Sequence, residues 1–241
     1  MLNKENNFWF IGDTHGNHKL IMYEIKQKDI KNVDMFHVGD FGVGFTSEIN
    51  EGLQLKNFND FLKGRDINLH VFRGNHDNPD YFKGKYIFSN LKLHEDYTVL
   101  EIEGKKILGV GGGISIDREP RKLNHKKITW WEDEIFILDE DKINEISGVD
   151  ILITHTAPSF LPPINADGNF PWIVKQFVPD DPNLLHDLIN ERENLSELLL
   201  LLEDKNNIKH HFYGHFHSNY MTLIDGCVHI CLEIGQFYEL K

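Results

Sequence analysis

Short apolar runs recur along this chain, and most of them end in a turn rich in glycine, aspartate, asparagine or histidine. Residues 8–11, 34–38, 68–72, 97–102, 106–110, 150–153 and 208–213 read as buried strands. Residues 219–224 and 228–233 read as a hairpin around Asp225-Gly226. Between the early strands, residues 18–28 and 47–63 carry helical patterns. Strand, helix and strand in succession predict a layered α/β fold.

The plainest helical pattern begins near Pro182, with Asp181 suited to the N-cap and Pro182 to the first helical position. Leu184, Leu185, Leu188, Ile189, Leu195, Leu198, Leu199 and Leu202 follow at spacings near three and four, which predicts one core-facing stripe. Residues 157–180 show no regular pattern, because Pro158, Pro162, Pro163, Pro171 and Pro179 interrupt it. Phe160, Phe170, Trp172 and Phe177 argue that this stretch is packed, either as a lid beside His155 or as a surface-packing loop.

At 241 residues the chain fits one domain, residues 1–241, with a sizeable core. Its 25 Lys plus Arg against 38 Asp plus Glu give a formal charge of −13, which disfavours duplex nucleic acid as a partner. Cys227 and Cys231 lie four residues apart on one expected strand. That places their Cα atoms about 13 Å apart, beyond the roughly 7 Å a disulfide tolerates. Unpaired thiols, a polar start at residues 1–7 and no membrane-length apolar run lead us to expect a cytoplasmic protein.

The chemistry lies in the turns. Gly12-Asp13-Thr14-His15-Gly16, Gly39-Asp40-Phe41-Gly42, Gly74-Asn75-His76-Asp77, Thr154-His155 and Gly214-His215-Phe216-His217 each follow an apolar run. They offer seven donors: Asp13, His15, Asp40, Asn75, His155, His215 and His217. One ion with such ligands takes roughly four to six. Two ions sharing one carboxylate would divide the seven into two sets of four. Manganese, iron, zinc and nickel all suit nitrogen and oxygen donors. Sites of this kind form beyond the carboxyl ends of strands in α/β sheets.

The ordered set GDxHG, GDxG, GNHD, TH and GHxH resembles the calcineurin-like metallophosphoesterase family, and it spans Gly12 to His217. The resemblance implies a four-layer α/β/β/α sandwich, two mixed sheets flanked by helices. It implies one divalent metal held by Asp13, His15, Asp40 and His217. A second would be held by Asp40, Asn75, His155 and His215, with Asp40 bridging. It also makes His76 the residue that contacts the scissile phosphate and protonates the leaving oxygen.

One departure bears on the substrate. Protein Ser/Thr phosphatases of this superfamily carry GDxxDRG, whereas this chain reads Gly39-Asp40-Phe41-Gly42-Val43-Gly44. The acid that would orient His76 is absent from that position. Asp77 directly follows His76, either as a turn or cap residue before Pro79 or as a support for the site's backbone. The segment Gly111-Gly112-Gly113-Ile114-Ser115-Ile116-Asp117-Arg118-Glu119-Pro120-Arg121, with Trp130-Trp131-Glu132, resembles a bacterial and phage subgroup of the family. Arg118 and Arg121 there read either as substrate-binding cations or as a solvated loop paired with Glu119.

His37 and His70 read as core residues, Arg73 as structural or as a support behind the ligands, and the Cys227, His229, Cys231 face as core. The expectation is a dinuclear phosphoesterase for a small phosphate ester, diester or nucleotide. A phosphoprotein phosphatase, a nuclease using a basic stripe at Arg121, Lys122, His125, Lys126 and Lys127, and a non-catalytic metal-bound module are the alternatives.

Overall fold

A computed structural model describes residues 7–123, 129–162 and 170–241. Its strands are β1 (Phe8–Ile11), β2 (Val33–His37), β3 (Ile67–Val71), β4 (Leu91–Leu93), β5 (Thr98–Ile102), β6 (Lys105–Val110), β7 (Ile151–Thr154), β8 (His210–Tyr213), β9 (Tyr220–Ile224), β10 (Cys227–Cys231) and β11 (Phe237–Leu240). Its helices are α1 (His18–Gln27), α2 (Glu48–Lys63), α3 (Arg118–Lys122), α4 (Glu140–Glu145), α5 (Trp172–Phe177) and α6 (Leu184–Glu203).

Two mixed sheets result. One runs β11-β1-β2-β3-β4 and the other β5-β6-β7-β8-β10-β9. Strands β1 to β4 are parallel, with β11 antiparallel at the edge, where Phe8 faces Leu240. Strands β6, β7 and β8 are likewise parallel, and β10 continues beside β8 in the same direction. At the β9–β10 turn, Asp225 and Gly226 both take positive φ, 48° and 81°, the conformation that suits a two-residue hairpin.

The layers follow from which faces are apolar. Phe8, Phe10, Phe36, Phe72, Ile153 and Phe212 interdigitate between the sheets, with the Phe10 and Phe212 rings stacked. Ile21 and Ile25 of α1 and Leu55, Phe58 and Leu62 of α2 cover the outer face of the first sheet. Leu195, Leu198 and Leu202 of α6 and Ile143 of α4 cover the second. The expected α/β/β/α sandwich is therefore the observed architecture. Cys227 and Cys231 are free thiols on β10, as expected.

Helix α6 begins two residues later than its sequence suggests. Asn183 is the N-cap without a side-chain bond, and Asp181 instead accepts two hydrogen bonds from Arg118, at 2.5 and 3.1 Å. A guanidinium partner 63 residues away outweighs a local cap. The buried stripe of α6 also includes Glu191 and Arg192, which an apolar periodicity cannot reveal. Strands β4 and β11 and helices α3, α4 and α5 were not anticipated. At three to six residues each is too short to show a period.

Candidate metal centre and active site

Every candidate donor sits just beyond the carboxyl end of a parallel strand. Asp13 and His15 follow β1, Asp40 follows β2, Asn75 and His76 follow β3, His155 follows β7, and His215 and His217 follow β8. The two sheets thus bring their strand ends to one rim, and all seven donors meet there. Two glycines make this convergence sterically feasible. A Cβ on Gly74 would lie 2.2 Å from Asp40 Oδ1 and 2.7 Å from His155 Nε2, and one on Gly214 would lie 2.0 Å from Asp13 Oδ1.

The backbone is strained in the same places. His15, Asp40, His215 and His217 adopt φ between 47° and 65°, a region that non-glycine residues rarely occupy. Such strain persists only where surrounding contacts overdetermine it, and it clusters at functional sites. For Asp40 the determining contacts are visible. Its carbonyl accepts the N–H groups of Thr14 and His15, and its Oδ1 accepts the N–H of His76 at 2.7 Å.

The donors fall into two groups. Asp13, His15, Asp40 and His217 present ligand atoms within 4.8 Å of one another. Within that set His217 Nε2 lies 3.3 Å from Asp13 Oδ2 and 3.1 Å from His15 Nε2. In the other group Asn75 Oδ1 lies 2.9 Å from both His155 Nε2 and His215 Nδ1, and His155 Nε2 lies 3.2 Å from Asp40 Oδ1. Asp40 belongs to both. Its Oδ1 faces His155, and its Oδ2 faces His15 at 3.7 Å.

Electrostatics match a cation site. Asp13 and Asp40 are almost completely buried, at 0% and 1% exposure, with imidazoles for neighbours. Burial alone would raise the Asp40 pKa, but His155 beside it holds the carboxyl well below the ordinary range. Burial opposes charge on His155 too, yet Asp40 pushes it up to about 9. The His215 pKa is driven down by burial and by the neighbouring His155, while the side-chain bond of His217 to Asp13 raises the His217 pKa. Two buried carboxylates, an amide oxygen and four imidazoles converging on one another form a donor set that suits divalent ions.

A supporting layer aims these donors. His155 Nδ1 donates to the Val38 carbonyl at 3.0 Å, which leaves Nε2 free to ligate. The Asn75 amide nitrogen donates to Ser115 Oγ at 2.9 Å, which turns Oδ1 toward the two histidines. Ser115 Oγ in turn accepts from Arg121 Nη1, and the Ser115 N–H binds Glu134 at 2.9 Å. Asp77 supports the backbone of the site, and Asn78 rather than Asp77 caps the short helix that starts at Pro79. Its carboxylate accepts the N–H groups of Phe41, Gly42, Val43 and Gly74 at 2.6 to 3.1 Å, which clamps the second motif onto the third. Burial raises the Asp77 pKa to about 6, with Asp40 adding to the effect. Ser115 and Glu134 were not assigned roles from sequence; the signal was the glycine run after β6, which marks a close backbone approach.

His76 lines the cleft above the donors, its ring stacked on Phe45 at 6.2 Å between centroids. Burial lowers its pKa. Arg118 is committed to Asp181 and to Asp187, the latter at 2.5 Å. Arg121 binds the Thr129 carbonyl and Ser115 and lies 3.5 Å from Asp117. His125, Lys126 and Lys127 lie outside the described residues. His37 is a buried partner of Thr14, and His70 pairs with Asp34 and His94. Arg73 grips Asp96 and three backbone carbonyls. His229 bonds His211 in the core.

Segment 157–180 divides. Residues 157–162 pack against α6, where Arg192 holds the carbonyls of Pro158 and Leu161. Residues 163–169 lie outside the described residues. Pro171 and α5 line the same cleft as His76, Asn75 and His215. Among the described residues no helix is long and apolar enough to cross a membrane.

The family model of the calcineurin-like phosphoesterases matches residues 7–219. No curated protein matches at a significant level. Among solved structures, the chain is similar to a proposed 5'-nucleotidase from Staphylococcus aureus, at 12% identity and a TM-score of 0.52, covering 97% of this chain. It spans only 50% of that protein's length. It is also similar to a phosphopantetheinyl hydrolase from Mycobacterium tuberculosis, at 12% identity and a TM-score of 0.47, covering 95% of this chain and 89% of that one. Likeness at such identities concerns the fold.

Proposed function

Because the chain belongs to the calcineurin-like phosphoesterase family, we propose that it hydrolyses a small phosphate ester at a centre of two divalent metal ions. Asp13, His15, Asp40 and His217 hold one ion, and Asp40, Asn75, His155 and His215 hold the other. The observation that carries this reading is the split carboxylate of Asp40, with Oδ1 3.2 Å from His155 and Oδ2 3.7 Å from His15. Divalent ions bound by these residues would supply Lewis-acid charge for the phosphate oxygens and would lower the pKa of a bound water.

The protein's own groups do the rest. The N–H of His76 and the carbonyl contacts of Asp40 keep the shared carboxylate in its strained turn. Ser115 and Val38 set the orientation of Asn75 and His155, so little reorganisation is needed on binding. The His76 ring, lining the same cleft, donates a proton to the departing oxygen. Val43 stands at the position of the missing acid, and the His76 ring stacks on Phe45, which argues against the phosphoprotein reading.

Metal analysis of the purified protein tests the centre. We expect two ions per chain, and Asp40→Asn should lower hydrolysis of bis(4-nitrophenyl) phosphate by roughly 10³-fold. One ion per chain, or cleavage unaffected by Asp40→Asn, refutes the assignment.

A further inference from the structure

The cleft above the donors has two chemically different sides. Asp40, Asn75, His76, His215 and His217 form one. The rest of this cleft of about 610 Å³, within the range of small-molecule sites, is lined mainly by apolar groups: Ile173, Val174 and Phe177 of α5, Leu188 of α6, and Phe216. This wall is backed rather than loose. Val174 and Leu188 belong to a buried cluster with Ile114, Phe170 and Leu184, against which Phe177 and Phe216 pack. Ile173 stays half-exposed at 50%, and the adjoining Trp172 is 72% exposed, so folding alone does not account for their apolar character.

Charge on the lining is equally informative. Among the described lining residues there is no Lys or Arg, and the acidic group beyond the donors is Asp117. The two nearby arginines of α3 are turned to other work, Arg118 to Asp181 and Asp187 and Arg121 to Thr129 and Ser115. A second phosphate would find no Lys or Arg among the described lining residues. A single phosphate at the donors, carrying a bulky apolar group, would bury that group against α5.

We propose that the α5 wall is a subsite for the organic part of the ester, and that the substrate is a phosphate ester of a bulky apolar alcohol, aromatic or branched alkyl. The subsite rests on the phosphoesterase reading above. It selects by apolar burial, in which each well-placed group is worth roughly tenfold or more in discrimination.

Binding tests it without relying on turnover. Manganese-reconstituted protein would be titrated with 1-naphthylphosphonate and with methylphosphonate by calorimetry. The naphthyl compound should bind at least roughly tenfold more tightly. That ratio should fall toward one in Ile173→Asp, whose half-exposed position tolerates the change in folding, and in Phe177→Ala. Equal affinity for the two phosphonates in the wild type, an unchanged ratio in both variants, or tighter binding of ATP than of the naphthyl compound would overturn the subsite while leaving the metal centre standing. Binding of neither phosphonate would remove the phosphoesterase reading and this subsite with it.

Discussion

The two halves of the donor cluster are built to different standards. In the inner half, His155 and Asp40 have side-chain exposures of 0% and 2%, and Asn75 is buried. Three of its four donors are aimed by the scaffold: His155 donates to the Val38 carbonyl, the Asn75 amide donates to Ser115, and Asp40 accepts the His76 N–H. In the outer half, His15 and His217 have side chains 32% and 44% exposed, and their nearest polar partners are each other and the two carboxylates. A preformed, dry site holds its ligands in place before an ion arrives, whereas an open one must order them on binding. The inner half should therefore bind more tightly and exchange more slowly than the outer half.

That asymmetry can be broken most forcefully at the ligands themselves. His155→Ala should empty the inner position and abolish hydrolysis, while His217→Ala should keep one ion per chain after dialysis; plasma emission analysis of both variants decides it. Equal metal loss in the two would mean that the halves are equivalent. Ser115→Ala probes the aim rather than the ligand. It should weaken the tighter of two metal-binding events by about 10–100-fold, read by competition with a fluorescent chelator, and leave the weaker event alone. A drop in the weaker event instead would reverse the assignment of the halves.

Stability offers finer tests. Asp77→Asn replaces a carboxylate that accepts four N–H groups with an amide that must turn its own N–H groups toward some of them. The clamp joining the second and third motifs should lose roughly 3 kcal/mol, measured by urea unfolding. A loss within error would show that the turns hold themselves. Behind the inner half, Glu191 of α6 lies buried against Thr156 without a normal hydrogen bond, and burial raises its pKa from 4.5 to about 7.

The sign of the Glu191 effect is that of a carboxyl kept neutral by folding. Below pH 4.5 it is protonated in both states and costs nothing. As pH rises from 4.5 to about 7, only the unfolded chain ionises, so the folded state loses stability through that window and stays penalised above it. Glu191→Gln should remove this dependence and gain about 1–2 kcal/mol at pH 8. Parallel pH profiles of wild type and variant by thermal unfolding would sink the idea.

Much of this was legible before folding was considered. The ends of β1, β2, β3, β7 and β8 could be read because each apolar run stops at a Gly-Asp, Gly-Asn, Thr-His or Gly-His turn. The Asp225-Gly226 hairpin was legible for the same local reason. Arg118 was not, since its exposed-looking sequence context conceals two carboxylates 63 and 69 residues away. Helix α5 was hidden among prolines, and its role as a wall depends on Leu188 and Phe216 from distant elements.

The division has a simple physical basis. Local sequence determined which residues carry donor atoms, where strands stop and which turns tolerate positive φ, because those depend on a residue and its immediate neighbours. Tertiary structure alone decided that Asp40 faces two groups at once, that Asp77 and Ser115 serve the turns beside them, and that apolar groups of α5 line the same cleft as the donors. Each of those depends on side chains brought together from separate strands of two sheets, at distances that no spacing along the chain encodes.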